Sequence, residues 1–270
     1  MSKIGSAIYE IHHIDAIAAR DQWVNKVHPL VKLVLTVFYI TVVVSFQKYD
    51  VAGLLGMAVY PLALFLLSEV SFGDSLKRLK LVLPLVCFVG ILNPFLDRNY
   101  VEIDGVVFNA GILSMITLIM KGVFSVFASY LLIATTSIEK LCYAFRLLHV
   151  PKILVTQILL TYRYITVLLA EVNRVTQAYA LRAPNQKGIH FKVWGSLTGQ
   201  ILLRSMDRAN VVYESMNLRG YHGEFQYVGE KIRLSWKDVC YMVIWGGIFI
   251  LFRNIPVIPV IGNAVGGLFL

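Results

Sequence analysis

The strongest constraint on the fold is a series of apolar runs, each close to the length of a bilayer crossing. A helix rising 1.5 Å per residue needs about 20 residues to cross ~30 Å of hydrocarbon. Charged residues make up only 15% of the chain, against about 25% in ordinary soluble domains. The sequence therefore predicts an all-α, polytopic membrane protein with about five transmembrane helices. The runs are Leu33–Phe46, Val51–Leu67, Leu81–Leu96, Ala110–Thr135 and Val239–Phe252, the last with Leu234 as an alternative start.

The two ends of the chain are less regular. The first thirty residues contain His12, His13, Asp15 and Arg20 and have no continuous apolar core. We therefore expect no cleaved signal peptide, and insertion through the internal runs. The tail, Ile255–Leu270, is apolar but interrupted by prolines and glycines. It fits an interfacial segment, a re-entrant segment or a weak sixth span.

A basic, polar block, Thr136–Lys237, separates the fourth run from the fifth. It holds 14 Lys or Arg and six Asp or Glu residues, a net charge of +8 out of +9 for the chain. Positive charge favours the cytoplasmic side, so we predict that this block is cytoplasmic. The basic loop around Lys77 and Lys80 and the N-terminus should then also lie inside, and the acidic loop Asp97–Asn109 outside. A basic surface beside a membrane can also bind anionic lipid.

Charge and hydropathy together divide the chain into three parts. Residues 1–135 hold an N-terminal cytoplasmic segment and four transmembrane helices. Residues 136–233 form a cytoplasmic helical domain, and residues 234–270 carry the last transmembrane helix and the apolar tail.

Two long helices are predicted within the block. The first follows Pro151, which suits the first turn of a helix, and ends near Arg182, because Pro184 disfavours helical geometry at the residue before it. The second runs from about Phe191 and stops at Gly220, the residue type usual just after a helix.

The second helix carries an apolar stripe at helical spacing. Its members are Leu202, Met206, Ala209, Tyr213 and Met216. We expect this stripe to pack in part on the first helix, and otherwise to face the membrane or a partner.

An arginine followed by a small residue ends each of these helices: Arg182 with Ala183, and Arg219 with Gly220. Two roles fit. One is compensation of the helix dipole, worth a few tenths to about 1 kcal/mol. The other is a projecting guanidinium that forms a bidentate pair with a carboxylate of another protein. Spacing alone does not decide between them.

Lys121 is the clearest polar exception within the apolar runs. Placing a lysine in the middle of a membrane commonly costs ~3 kcal/mol of insertion free energy, so such a residue is a candidate for a functional role. The alternative role is structural, with the ammonium bonded to serine or carbonyl groups. In either case we predict that it faces the interior of the helix bundle.

The sequence lacks the motifs of several kinds of catalytic or binding site. There is no GxxxxGK[ST] segment for binding ATP phosphates and no GxSxG nucleophile motif. Cys87, Cys142 and Cys240 are isolated, and no His or Cys spacing suits a closed metal site. We expect no catalytic site, no metal site, no cofactor and no nucleic-acid partner for this chain.

Short segments in a fixed order, from about Ile14 to Gly223, resemble a known family. The chain is similar to the transmembrane (T) components of energy-coupling factor transporters, most closely the cobalt-type members called CbiQ. The segments are Ile14-Asp15, Val27-His28-Pro29-Leu30-Val31-Lys32-Leu33, Lys121, Thr135-Thr136-Ser137, Val150-Pro151, Tyr162-Arg163-Tyr164, Arg182, Arg208 and Tyr213-Glu214-Ser215-Met216-Asn217-Leu218-Arg219-Gly220-Tyr221.

The resemblance implies a scaffold in the cell membrane of a bacterium or archaeon. In that family, two cytoplasmic ABC ATPase subunits bind ATP and Mg and contact the T component through short Ala-Arg-Gly-like signatures. A separate membrane protein, the S component, binds the substrate. Carried over, Arg182, Ala183, Arg219 and Gly220 are the ATPase-coupling residues. Leucine precedes both arginines here, so neither signature is a complete Ala-Arg-Gly.

The resemblance points to uptake of cobalt or nickel, and the Ile14–Leu33 stretch favours this type. A T component shared by vitamin-specific S components is the alternative within the class. A stand-alone secondary transporter would need internal repeats around a midplane site, which the sequence does not display. A membrane enzyme would need a catalytic constellation, which it also lacks.

Overall fold

The computed structural model describes residues 3–20, 22–68, 70, 72–96, 100–103, 106–184, 188–221, 223 and 234–254. Helices dominate these residues, so the all-α, polytopic prediction is confirmed. The helices are α1 (Lys3–Ala18), α2 (Trp23–Lys26), α3 (Pro29–Ser45), α4 (Val51–Gly56), α5 (Val59–Ser68), α6 (Phe72–Leu96), α7 (Ala110–Thr135), α8 (Ile138–Leu147), α9 (Lys152–Arg182), α10 (Phe191–Leu218) and α11 (Trp236–Asn254); the strands are β1 (Tyr100–Ile103) and β2 (Val106–Asn109). The apolar tail lies outside the described residues.

Three stretches of the described chain are long and apolar enough to cross a membrane: Val51–Ser68, Ala110–Thr135 and Lys152–Arg182. Two shorter apolar helical segments accompany them, Pro29–Ser45 and Val82–Pro94. Four of these five coincide with predicted runs, and the fifth predicted run forms α11. The stretch that forms α9 was predicted as part of the cytoplasmic block, so its length and apolarity as a candidate span are an additional finding.

The second predicted run, Val51–Leu67, does not form one continuous helix: it divides into α4 and α5. Pro61 has no N–H to offer the carbonyl of Met57, four residues earlier. The hydroxyl of Tyr39 on α3 donates to that carbonyl instead, at 2.9 Å, and both residues are fully buried. A side chain from a neighbouring helix thus satisfies the backbone group that proline leaves open.

Two predicted loops have regular structure. The basic residues predicted in a loop, Lys77 among them, lie on the first turns of α6, where Lys77 pairs with Asp74 at 2.9 Å. Within the predicted acidic loop, β1 and β2 pair antiparallel, with Tyr100 opposite Asn109 and Ile103 opposite Val106.

Contacts divide the chain into two compact units. One comprises residues 17–137 and 231–270, and contains α2 to α7, the β-hairpin and α11. We call it the membrane unit. The other comprises residues 1–16 and 138–230, and contains most of α1 together with α8, α9 and α10.

Aromatic rings fasten α11 to α3 and α5 inside the membrane unit. The ring of Phe249 lies 5.2 Å from that of Tyr39 and 5.0 Å from that of Tyr60, while Trp245 meets Tyr60 edge to face at 5.0 Å. Offset and edge-to-face arrangements are the favourable ones for aromatic pairs. This cluster fixes the last helix against the first half of the chain.

Close packing joins α6 to α7. A Cβ on Gly111 would lie 2.5 Å from the Cα of Pro94, so only glycine permits this approach, as is usual where membrane helices touch. One turn along α7, the hydroxyl of Ser114 accepts a hydrogen bond from the amide of Asn93 at 3.2 Å.

Candidate functional site

The helices α9 and α10 form an antiparallel hairpin. Arg204 of α10 pairs with Glu171 of α9, and nearer the turn the N–H of His190 donates to the Tyr179 hydroxyl at 3.4 Å. The C-terminus of α9 therefore lies at the turn of the hairpin, whereas the C-terminus of α10 lies at its open end.

Arg182 is the last residue of α9, and its side chain is exposed. Ala183 follows with φ −129° and ψ 64°, and its N–H donates to the carbonyl of Tyr179 at 3.0 Å. These angles are open to any residue, so the backbone does not require alanine here. Leu181, beside the arginine, is 84% exposed.

Arg219 occupies the C-cap of α10 and is exposed. Gly220 follows with φ +80°, and its N–H donates to Asn217 while the N–H of Tyr221 donates to Met216. This pair of bonds is the Schellman motif, which closes a helix and requires a left-handed residue. Glycine at 220 thus has a backbone reason, independent of any partner.

The two arginines are well separated. Because α10 has 28 residues, Arg219 lies roughly 40 Å from the hairpin turn at 1.5 Å per residue. Arg182 is at that turn. The structure therefore does not gather the two predicted signatures into one site, but places them at opposite ends of one element.

The apolar stripe predicted on α10 faces away from α9. Leu202, Met206 and Tyr213 are 58%, 57% and 61% exposed, whereas Ile201 and Val212 line the groove shared with α9. For these three residues the predicted packing on the first helix is not seen, and the alternative, a face open to the membrane or a partner, fits their exposure. No residue of α10, all of which the structure describes, is buried.

Glu171 links the two helices electrostatically. Its carboxylate pairs with Arg204 across the groove and lies 3.7 Å from Arg174 on its own helix. The Glu171 side chain is 20% exposed, while those of the two arginines are 52% and 79% exposed. Most of the basic charge on this hairpin thus stays at the surface.

Lys121 caps a neighbouring helix. It is partly buried, and its ammonium donates to the carbonyls of Val44, at 3.0 Å, and Phe46, at 2.5 Å. These carbonyls lie at the C-terminus of α3, where backbone acceptors have no partner within the helix. The guanidinium of Arg253 stacks over the Phe46 ring at 4.8 Å, so two cations meet at this helix end.

Lys32, on α3, bonds the C-terminus of α7 in the same way, a contact that sequence reasoning missed. It is 5% exposed, and its ammonium donates to the carbonyl of Thr135 at 2.9 Å and the hydroxyl of Thr136 at 3.4 Å. These groups lie at the C-terminus of α7. The antiparallel helices α3 and α7 therefore each carry a lysine that covers the other's C-terminus.

Asp238 is a second polar residue that sequence reasoning missed. It is 7% exposed, and its carboxylate accepts the N–H of His28 at 3.0 Å and of Ser235 at 2.9 Å. It thus ties the start of α11 to the start of α3. Ser235 and Asp238 have the spacing of a capping box, and that pattern was the available signal.

A hydrogen bond joins α9 to α1, the first helix of the described chain. The hydroxyl of Tyr162 on α9 donates to the carboxylate of Asp15 on α1 at 2.5 Å.

Cys142, on α8, is buried. Burial raises the pKa of its thiol above the ordinary value, and the carboxylate of Glu139 adds to the rise. A protonated, buried thiol is poorly reactive. Within the described residues, no group of three or more His, Cys, Asp or Glu side chains is arranged to hold a metal ion.

The chain is similar to a known protein and to one protein family. The uncharacterized protein MJ1571 of Methanocaldococcus jannaschii is 27% identical over 159 residues, which is 58% of this chain and 51% of that protein. The chain thus spans about half the length of this curated relative. The model of the CbiQ family, described as a cobalt transport protein, matches residues 20–228. Because that match covers well over half of the chain, the protein belongs to the CbiQ cobalt transport protein family.

Proposed function

We propose that this chain is the transmembrane T component of an energy-coupling factor importer for cobalt or nickel ions. It couples ATP hydrolysis by two cytoplasmic ATPase subunits to movement of a substrate-binding S component. The observation that carries the proposal is the pair of exposed arginines, Arg182 and Arg219, at opposite ends of one hairpin. A separation of roughly 40 Å suits two separate contacts, one for each ATPase subunit.

The chemistry of these helix ends supports a protein contact. A guanidinium presents its donors in a planar fork that matches a carboxylate. Within the described residues, no carboxylate forms an ion pair with either arginine. Their exposed neighbours Leu181 and Leu218, 84% and 90% exposed, supply apolar area beside each charge. Arginine is enriched at binding hot spots.

The charges of the membrane unit support a substrate site on another protein. Lys121 and Arg253 both approach Phe46 at the end of α3, and Lys32 is buried near the other end of that helix. Fixed cations repel a divalent metal ion. A separate S component that binds the ion avoids this repulsion.

We further propose that the hairpin lies at the cytoplasmic face, although α9 has the length and apolarity of a span. Arg163 lies in the middle of α9 and is exposed, and the surrounding block is strongly basic. A single cysteine at Ser205, with the native cysteines replaced, should react with a membrane-impermeant thiol reagent in inside-out vesicles and not in intact cells. Labelling in intact cells would overturn this orientation.

Co-purification tests the coupling role. We would express the chain with its ATPase subunits and S component and compare the wild type with Arg182→Glu plus Arg219→Glu. Reversal of both charges should abolish ATPase association and ion uptake. The matched control is Arg163→Glu plus Arg208→Glu, which makes the same charge change at exposed positions of the same two helices. Full association and transport in the first variant would refute the proposal.

The substrate is tested separately, by uptake of radioactive cobalt and nickel into cells expressing the complete complex. Uptake that requires this chain supports the ion importer. Vitamin uptake without ion uptake would instead support the shared T component for vitamin-specific S components.

A further inference from the structure

A small basic pocket lies between the C-terminal half of α9 and the N-terminal half of α10. Its volume is about 270 Å³, several times the space that one water molecule occupies. Three guanidiniums, one phenol and one amide line it: Arg174, Arg182, Arg204, Tyr179 and Gln200.

The charge of this pocket is unbalanced. Glu171 is the carboxylate that pairs with Arg204 and Arg174, so three cations face one anion. The adjoining groove differs, because there Arg204 and Arg208 are accompanied by Glu171 and Asp207. The pocket therefore presents an anion-binding surface that its neighbour does not.

The surroundings of the pocket are apolar and aromatic. Leu197 and Val175 form part of its wall. Near the hairpin turn, Leu181, Phe191 and Trp194 are 84%, 89% and 52% exposed. Tryptophan next to arginine is typical of the level of lipid headgroups, where an apolar ring and a charge are both accommodated.

The first half of α9 extends this apolar surface. Ile153, Leu154, Ile158 and Ile165 are all exposed, although this stretch is apolar enough to enter a membrane. A helix with an exposed apolar half and a basic half suits a bilayer surface. Both features suit a pocket at the level of phosphate groups.

We propose that this pocket binds the headgroup of an anionic phospholipid. The guanidiniums of Arg174 and Arg204 hold the phosphate by charge-assisted hydrogen bonds, and Tyr179 and Gln200 are placed to bond the remaining headgroup oxygens. Bound lipid would fasten the turn of the hairpin to the membrane surface. Arg182 lines this pocket and also carries the proposed ATPase contact, so it is left unchanged in the test.

The test uses the purified full-length chain in detergent, titrated with dioleoyl phosphatidylglycerol, dioleoyl phosphatidylcholine or inorganic phosphate. Native mass spectrometry counts the bound lipid. Wild type should bind phosphatidylglycerol saturably and in preference to phosphatidylcholine. Arg174→Gln plus Arg204→Gln should weaken that binding roughly tenfold or more. Arg163→Gln, on the same helix but outside the pocket, should leave it unchanged.

Gln200→Glu provides a second variant that keeps every arginine and nearly the same side-chain volume. It adds a negative charge to the pocket and should weaken phosphatidylglycerol binding as well. Unchanged binding in both pocket variants, or equal binding of the two lipids, would overturn the proposal. Equal binding of inorganic phosphate would assign the pocket to a soluble anion instead.

Discussion

The membrane unit and the α9–α10 hairpin differ in how many of their side chains are buried and bonded within the chain. In the membrane unit, buried polar groups such as Lys32, Asp238 and Tyr39 all bond to backbone groups of other helices. In the hairpin, α10 buries no residue, and α9 buries only Thr156 and Val175. The first region is stabilised by its own contacts, whereas the second leaves its apolar and basic faces available to other molecules.

This difference predicts that substitutions in the two regions have different consequences. Changes in the membrane unit should lower stability, because they leave buried polar groups without partners. Changes on the hairpin surface should spare stability and affect association.

Asp238→Ala should have the largest effect on stability. It leaves the backbone N–H groups of His28 and Ser235 without their acceptor, at a cost of about 2–4 kcal/mol. Denaturant unfolding in mild detergent measures the loss. Asp238→Asn, which keeps one acceptor oxygen, should lose about half as much. Wild-type stability in the alanine variant would mean that α11 is held by its aromatic rings alone.

Lys32→Met should have the next largest effect and lower the free energy of unfolding by about 1.5–3 kcal/mol. It removes the charged donor to the carbonyl of Thr135 while nearly keeping the side-chain volume. The same unfolding experiment applies. Lys80→Met removes an equal charge from an exposed position of α6 and should change stability by less than about 0.5 kcal/mol. Equal losses in the two variants would contradict a capping role for Lys32.

Gly220→Ala should have a smaller and local effect. A left-handed backbone at φ +80° disfavours alanine by about 1 kcal/mol. Hydrogen exchange should show faster opening of the last turn of α10, with the membrane unit unaffected. Ala183→Gly provides the comparison, since Ala183 has an ordinary φ. Faster exchange throughout the membrane unit would show that the two regions are coupled.

Leu202→Ser plus Met206→Ser should have the smallest effect on stability, below about 0.5 kcal/mol, because both side chains are exposed. Co-purification of the proposed S component and ATPase subunits with this variant tests whether the stripe is used in assembly. A destabilisation above about 1 kcal/mol in the isolated chain would mean that the hairpin has a hydrophobic core of its own.

Sequence patterns anticipated the features that depend on local periodicity. The apolar runs matched the helices, and Pro184 and Gly220 marked the ends of α9 and α10 within one residue. The β1–β2 hairpin was missed, although Asp104-Gly105 between two β-branched runs is a hairpin signal. Its acidic charge and its place between two apolar runs had assigned that segment to a loop.

Other features depend on which helices become neighbours, and periodicity does not contain that information. The contact of Lys32 with Thr135 joins residues more than a hundred positions apart. The stripe on α10 was correct as a pattern, but periodicity did not decide between its two predicted uses. A neighbouring row of residues, including Ile201 and Val212, lines the groove shared with α9. An apolar face in a sequence does not by itself reveal whether its own chain covers it.

The paired lysine caps of α3 and α7 have a consequence for biogenesis. During synthesis α3 emerges first, and its terminal carbonyls have no donor until Lys121 is made, some 75 residues after Phe46. Lys121 in turn enters hydrocarbon at a cost of about 3 kcal/mol unless α3 is already beside it. Each helix therefore completes the other only once both are in place. A chain that ended between the two helices would leave the C-terminal carbonyls of α3 without this donor.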